Sequence, residues 1–241
     1  MEIKFTGTGP FGSKTKRTSS GFFVYKEALY IIDIGSDNMQ FYKKFLEETV
    51  VRQIIICITH THPDRVSGLP EFLIWVHFFF NSQKRIMIVS DESVMKHIKN
   101  LIEITGTKPF TNNVHYMYTY IGSFYDNLTI TPIKTSHVKA IPSCGFLILE
   151  ENLATLYSGD TNKPMLKVFE DYCVIYNKKP MNIYHEVSAS KSEAHTSLEE
   201  LEAEFEKTDF VKSSIYLFHC EETEIIKQSG FKMAVETDVV V

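Results

Sequence analysis

A chain of 241 residues with 44% hydrophobic side chains can bury a substantial core of its own. Its 30 acidic against 25 basic side chains, a formal charge of −5, exclude a global positive field for gathering polyanions, so a small anion is a more natural partner than a long nucleic acid. Cys57, Cys144, Cys173 and Cys220 lack Cys-x-x-Cys spacing, which argues against a zinc knuckle or a redox pair and for reduced thiols in an intracellular setting.

No linker-like shift in composition, low-complexity tract or internal repeat divides the chain, and a single domain over residues 1–241 is expected. The start enters Ile3-Lys4-Phe5 at once rather than through an apolar leader. The longest apolar block, near Leu69 to Phe80, is broken by Pro70, Glu71 and His77, so neither secretion nor a membrane span is expected and the location is cytoplasmic.

Residues 2 to 6 alternate as a first strand and run into the glycine-rich turn Gly7-Thr8-Gly9-Pro10-Phe11-Gly12. That turn, with Lys14, Lys16 and Arg17 after it, can offer amides and cations to a phosphate, but without a fingerprint it reads first as a solvated loop. Strands at Phe22 to Tyr25 and Leu29 to Asp33 flank a turn at Lys26-Glu27, and Asp33 at the strand end is placed to brace a metal loop. Asp37 to Glu48 carries Met39, Phe41, Tyr42, Phe45 and Leu46 near helical spacing, which predicts a packing helix.

The run Ile54-Ile55-Ile56-Cys57-Ile58 reads as a buried strand that stops abruptly at Thr59-His60-Thr61-His62-Pro63-Asp64-Arg65. His60 and His62, two apart on a chain leaving a strand, can turn onto one ion, and Asp64 follows closely enough to reach a second. Polar turns hold His or Asp for ordinary loop reasons too, but three ligands at alternating positions favour metal. Leu69 to Phe80, with proline in its first turn, predicts a helix so apolar that it is either wholly buried or meets another subunit, and a homodimer contact is expected. His77 within it reads as a core or interface histidine.

Arg85 to Val89 predicts a strand and Asp91 to Ile104 a helix, the alternation of an α/β chain. Between Pro109 and Asp126 aromatics are dense. There Tyr116, Tyr118 and Tyr120 alternate with Met117, Thr119 and Ile121, predicting a strand with tyrosines on one face, which either stack on a base or cover a core edge.

Four later strands end on polar residues. Leu128 to Thr135 finishes at Ser136-His137, Leu153 to Tyr157 at Ser158-Gly159-Asp160-Thr161, Asn182 to Tyr184 at His185-Glu186, and Ile215 to Phe218 at His219. Ligands in α/β chains sit past the carboxyl ends of strands, so these endings and the His60 stretch together make a constellation. Imidazole and carboxylate without thiolate suit zinc first and manganese second. Cys220 beside His219 would point the opposite way on a strand and reads as core.

The run from His60 to Arg65 resembles the His-x-His-x-Asp-His signature of the metallo-β-lactamase fold superfamily, with Arg65 where most members carry the final His. His137 resembles the third metal motif of that superfamily, Ser158-Gly159-Asp160-Thr161 the fourth and His219 the fifth. His185-Glu186 and His195-Thr196-Ser197 resemble the His-Glu-Ala-Thr and His-Ser-Thr motifs of the RNase Z branch, which Gly7-Thr8-Gly9 and Gly68-Leu69-Pro70 also fit. The resemblance spans essentially the whole chain and implies an α/β fold, the four-layer αββα metallo-β-lactamase sandwich with mixed sheets. RNase Z enzymes that process transfer RNA normally carry an extra basic arm, and no segment here looks like one; Glu199-Glu200-Leu201-Glu202-Ala203-Glu204 is acidic instead. A compact chain of this kind looks like the phage-associated anti-Pycsar phosphodiesterases, which open cyclic nucleotides used as bacterial defence signals, in the host cytoplasm.

The resemblance implies His60, His62 and His137 on one zinc or manganese ion and Asp64, Asp160 and His219 on another, with Asp160 bridging. Arg65 then either leaves the second ion short of a ligand or offers a cation to substrate phosphate. The catalytic set implied is Asp64, His195 as general acid and Glu186 orienting it, and Arg65, Tyr116, Tyr118, Tyr120 and His185 are the candidates for touching substrate. A plainer reading of His195 is a loop residue ahead of the helix that Leu198 begins, capped by Thr196 or Ser197. Three functions remain open: a cyclic-mononucleotide phosphodiesterase, a transfer RNA 3′-end endonuclease, and a non-catalytic nucleotide sponge with a degenerate metal site.

Overall fold

The computed structural model describes residues 1–80, 83–121, 127–221 and 224–237, without the side chains of Tyr120 and Ile121. Its chain divides into two compact units: Ile3–Tyr118 with the C-terminal stretch from Val235, and Met1–Glu2 with Thr119–Ala234.

In the first unit the β-branched runs of the sequence become the middle of a six-stranded sheet. Its strands lie in chain order: β1 (Lys4–Gly7), β2 (Ser20–Tyr25), β3 (Ala28–Ile32), β4 (Gln53–Cys57), β5 (Arg85–Val89) and β6 (Val114–Met117). β1 to β3 pair antiparallel, with the expected turn at Lys26-Glu27, where Lys26 takes a φ of 53°. β3 to β6 are parallel, and parallel neighbours need crossovers. These are supplied by α1 (Met39–Glu48), by α2 (Pro63–Val66) and α3 (Leu69–Phe79), and by α4 (Glu92–Ile104). Ile54, Ile55 and Ile56 of β4 have no exposed surface, and burying each stabilises the fold by about 1.5–3 kcal/mol.

The helices follow the sequence pattern. α4 buries Val94, Met95, Ile98 and Ile102 along one stripe, and the Asp91 side chain accepts the Ser93 amide at its start. α3 is not wholly buried: Leu69, Phe72, Leu73 and Val76 face the core, but Phe78 is 66% and Phe79 51% exposed. The glycine-rich turn packs rather than opens. Gly9 donates its amide to the Arg17 carbonyl at 2.9 Å, and a Cβ on Gly7 would sit 2.2 Å from the Thr18 carbonyl oxygen, so Gly7-Thr8-Gly9 is a buried stretch rather than a solvated one.

The second unit carries a seven-stranded sheet ordered β13-β12-β11-β10-β9-β8-β7. Its strands are β7 (Tyr120–Ile121), β8 (Leu128–Lys134), β9 (Cys144–Glu150), β10 (Leu153–Tyr157), β11 (Lys179–Glu186), β12 (Ile215–Phe218) and β13 (Lys232–Met233). β7 to β10 form an antiparallel meander, and β10 to β13 run parallel. The connections hold α5 (Leu166–Ile175), α6 (Leu198–Phe205) and α7 (Glu224–Gln228), whose Leu166, Phe169, Leu201 and Ile226 close one core with Leu147, Leu156 and Leu217. α6 begins as the sequence suggests: Ser197 and Glu200 form a reciprocal capping box.

Both sheets are mixed, as the α/β reading expects. The single strand of tyrosines is not formed. β6 stops at Met117 and β7 pairs with β8 in the other sheet, so the chain changes sheets inside the Tyr116–Tyr120 stretch. Alternation reports a pleated surface but not which strand lies beside it.

Candidate metal centre

Each unit places a set of possible metal ligands past the carboxyl ends of its strands. In the first unit the chain leaves β4 through Thr59, whose amide and hydroxyl both donate to the Asp33 carboxylate, at 2.8 Å to Oδ1 and 2.8 Å to Oδ2 respectively. Because that hydroxyl hydrogen is committed to Asp33, its oxygen receives Nδ1–H of His60 at 3.0 Å, which sets the His60 lone pair on Nε2. Two nitrogens bound to one tetrahedral zinc stand about 3.3 Å apart. His60 Nε2 and His62 Nδ1 are 3.1 Å apart. Pro63 then opens α2, and Asp64 lies in its first turn, 6% exposed.

Asp33 reaches Thr59 from a left-handed backbone, φ 60°. Such a conformation is costly for a residue with a side chain and collects at functional positions. Asp33 thus braces the loop that carries His60 and His62.

In the second unit, ligand atoms of His137, Asp160 and His195 all lie within 4.8 Å of one another. His219 Nε2 is 3.4 Å from Asp160 Oδ2, again near the tetrahedral spacing. The His195 ring centroid stands 5.1 Å from that of His137 and 5.0 Å from that of His219. Backbone strain recurs here at His219, with a φ of 60°, while Gly159, which takes 61° without that cost, turns the chain from β10 to Asp160. His137 donates Nδ1–H to the Ala194 carbonyl at 2.7 Å, so its lone pair is on Nε2 as in His60.

Glu186 ends β11 with no exposed surface. Its Oε1 accepts the amides of Thr196 at 2.9 Å and Thr161 at 3.2 Å, and its Oε2 accepts Nδ1–H of His195 at 3.2 Å. Burial pushes the Glu186 carboxyl up from its ordinary value and the neighbouring Asp160 charge adds to this, while the His195 hydrogen bond opposes them. His195 keeps 28% of its side chain exposed while Glu186 keeps none, so His195 is the member of the pair that can meet a substrate.

Two sequence expectations change. His185, a candidate for touching substrate, is fully buried: Nδ1–H donates to the Glu186 carbonyl at 2.6 Å and Nε2 accepts the Met165 amide at 3.1 Å. Burial pulls its pKa down to about 4, and it is a neutral strut fixing the start of α5. Arg65, expected as a cation for substrate phosphate, is likewise fully buried; Nη1 donates to the Ser19 carbonyl at 2.8 Å and Nε lies 3.5 Å from Asp64 Oδ2. A guanidinium with no exposed surface is a structural charge. Tyr116 lies under Lys99, whose Nζ is 5.0 Å from the ring, and burial raises its phenol pKa; Tyr118 is 51% exposed, and the side chain of Tyr120 lies outside the described residues.

Thr59, the Ala194 carbonyl and the Thr161 and Thr196 amides were not singled out in the sequence. Main-chain donors and acceptors leave no side-chain signature, and only Thr59, adjoining His60, had a signal that could have been read. Neutral imidazoles with Nε2 lone pairs, grouped with buried carboxylates, fit divalent cations.

The solved structures that share this fold include the short form of human tRNase Z, at a TM-score of 0.70 and 20% identity over 100% of this chain and 98% of that one. Another is the metallo-β-lactamase fold protein YhfI of Bacillus subtilis, at a TM-score of 0.67 and 12% identity over 94% and 90% of the two chains. In sequence, the Ribonuclease Z of Sulfolobus acidocaldarius is 30% identical over 156 residues, which is 63% of this chain and 49% of that protein. The chain spans about half the length of the curated relatives it matches. Residues 1–239 match the family described as Anti-Pycsar protein Apyc1, and the chain belongs to that family.

Proposed function

We propose that the two donor sets are halves of one dinuclear centre and that the protein is a metal-dependent phosphodiesterase opening cyclic mononucleotides. His60, His62 and His137 would hold one ion, and Asp64, Asp160 and His219 would hold the other. When bound, a pair of divalent cations, zinc or manganese, acidifies water for attack on phosphorus and screens the phosphate charge. The chain's own work is with protons and position. Asp33 and Thr59 fix the His60 ring, and the Ala194 carbonyl fixes His137.

The observation that carries the reading is the partly open His195 held through Nδ1 by a wholly buried carboxylate, among donors that suit metal. With Nδ1–H held by Glu186, the His195 ring is left with Nε2 as its working nitrogen, and a proton carried there passes to the leaving ribose oxygen as the phosphorus–oxygen bond breaks. Membership of the Anti-Pycsar protein Apyc1 family and a net charge of −5 support a small cyclic nucleotide as substrate. The exposed Phe78 and Phe79 end of α3 is the surface we assign to a second copy, in a homodimer.

A second reading, cleavage of transfer RNA 3′ ends, is favoured by relatives named Ribonuclease Z. Metal-loaded protein incubated with cyclic mononucleotides and with precursor transfer RNA separates the two. Ring opening that stops on chelation, with intact RNA, is expected. Cut RNA beside intact cyclic nucleotides would favour the second reading. If both substrates survive while nucleotide stays bound, the protein is a sponge.

A further inference from the structure

Arg65 sits where the resembling signature carries a histidine, and its surroundings say what that exchange does. The main chain of the residue is held within its own unit: its amide donates to the His62 carbonyl at 3.0 Å and its carbonyl accepts the Ile34 amide at 2.7 Å. The fully buried guanidinium spans Ser19 and Asp64. A guanidinium has no lone pair to give a metal and keeps its charge at every working pH. An imidazole at this position would be a neutral ligand. Arg65 instead fixes a positive charge beside the carboxylate that the dinuclear reading gives to the second ion.

Two effects act in one direction. The nearby guanidinium draws on Asp64 Oδ2, making that carboxylate a poorer donor. It also repels a dication in surroundings where water screens little. We infer that Arg65 makes the two metal positions unequal: the ion at His60, His62 and His137 is held tightly, and the ion at Asp64, Asp160 and His219 binds weakly and exchanges with solution. Activity then rises and falls with free metal over the range of the weaker site. This inference rests on the dinuclear reading of the site.

The test is calorimetric titration of chelator-treated protein with zinc alone. The wild-type chain should show two classes of site whose dissociation constants differ by about 10- to 100-fold, the usual size of an effect from a residue beside a metal ligand. Two sites of equal affinity would overturn the inference. Arg65→His should tighten the weak class by about tenfold or more and leave the tight class where it was. Should that variant fail to fold by circular dichroism, Arg65→Gln, which only removes the charge, should shift the weak class the same way. A folded variant of either kind with an unmoved weak class also overturns it. Asp64→Asn keeps the two failures apart: loss of the weak class alone supports the dinuclear reading, and survival of both classes refutes that reading rather than the role of Arg65.

Discussion

Replacing His185 by glutamine should flatten the acid limb of the stability curve. In the folded chain the His185 ring is neutral, because Nε2 accepts the Met165 amide and a proton there would break that bond and bury a charge. Its pKa is therefore pulled down to about 4, against an ordinary 6.5. Above pH 6.5 both states are neutral at this residue and nothing is gained or lost. Below it the unfolded chain takes up a proton that the folded chain refuses, so stability falls as pH falls toward 4. The gap between 6.5 and about 4, at about 1.4 kcal/mol per pH unit, comes to about 3 kcal/mol. Glutamine can still accept from Met165 but does not titrate. Urea unfolding of chelator-treated wild type and His185→Gln, at half-unit steps across this window, measures the effect. The wild type should lose about 3 kcal/mol more than the variant on the way down. Parallel curves would refute the neutral-strut account.

His195→Ala should retain bound metal and lose turnover by about 10²- to 10⁴-fold, measured as cyclic-nucleotide hydrolysis beside a metal assay; normal kcat in metal-replete protein would remove His195 from its role. Glu186→Gln keeps an oxygen for Thr161 and Thr196 but loses the charge facing His195, and kcat should drop about 10- to 100-fold with KM little changed. Removing metal should lower stability as well as activity, because an ion at 100 times its Kd stabilises the folded state by about 2.7 kcal/mol; an unchanged melting temperature after chelation would contradict the ligand set. Ser197→Ala breaks the capping box of α6 and should cost about 1 kcal/mol in urea unfolding while leaving kcat near wild type.

Where a strand ran into ligand-type residues, the sequence was readable, because burial and coordination draw on different side chains and the change between them is sharp. β4 running into His60 and β12 into His219 are such places. β9 went unseen: Cys144 to Leu149 is buried throughout, and an unbroken apolar run has no period to separate strand from helix. The fate of Arg65 was hidden for another reason. It stands in a run of polar and charged residues broken by Pro63 and Val66, and only the fold brings the Ser19 carbonyl to it. His185 misled similarly, since a strand-end histidine next to Glu186 looks exposed until α5 is seen to rest its first amide on the ring.

The bond from His137 to the Ala194 carbonyl ties the orientation of one imidazole to the position of the residue immediately before His195. Asn162 stitches the same stretch down through the carbonyls of Glu193 and His137, and the Thr196 hydroxyl does so through Thr161. Residues 193 to 196 therefore behave as one casting. A single inserted or deleted residue there would twist the His137 ring and displace His195 in the same stroke, so length variation among relatives should avoid this span even where its side chains differ.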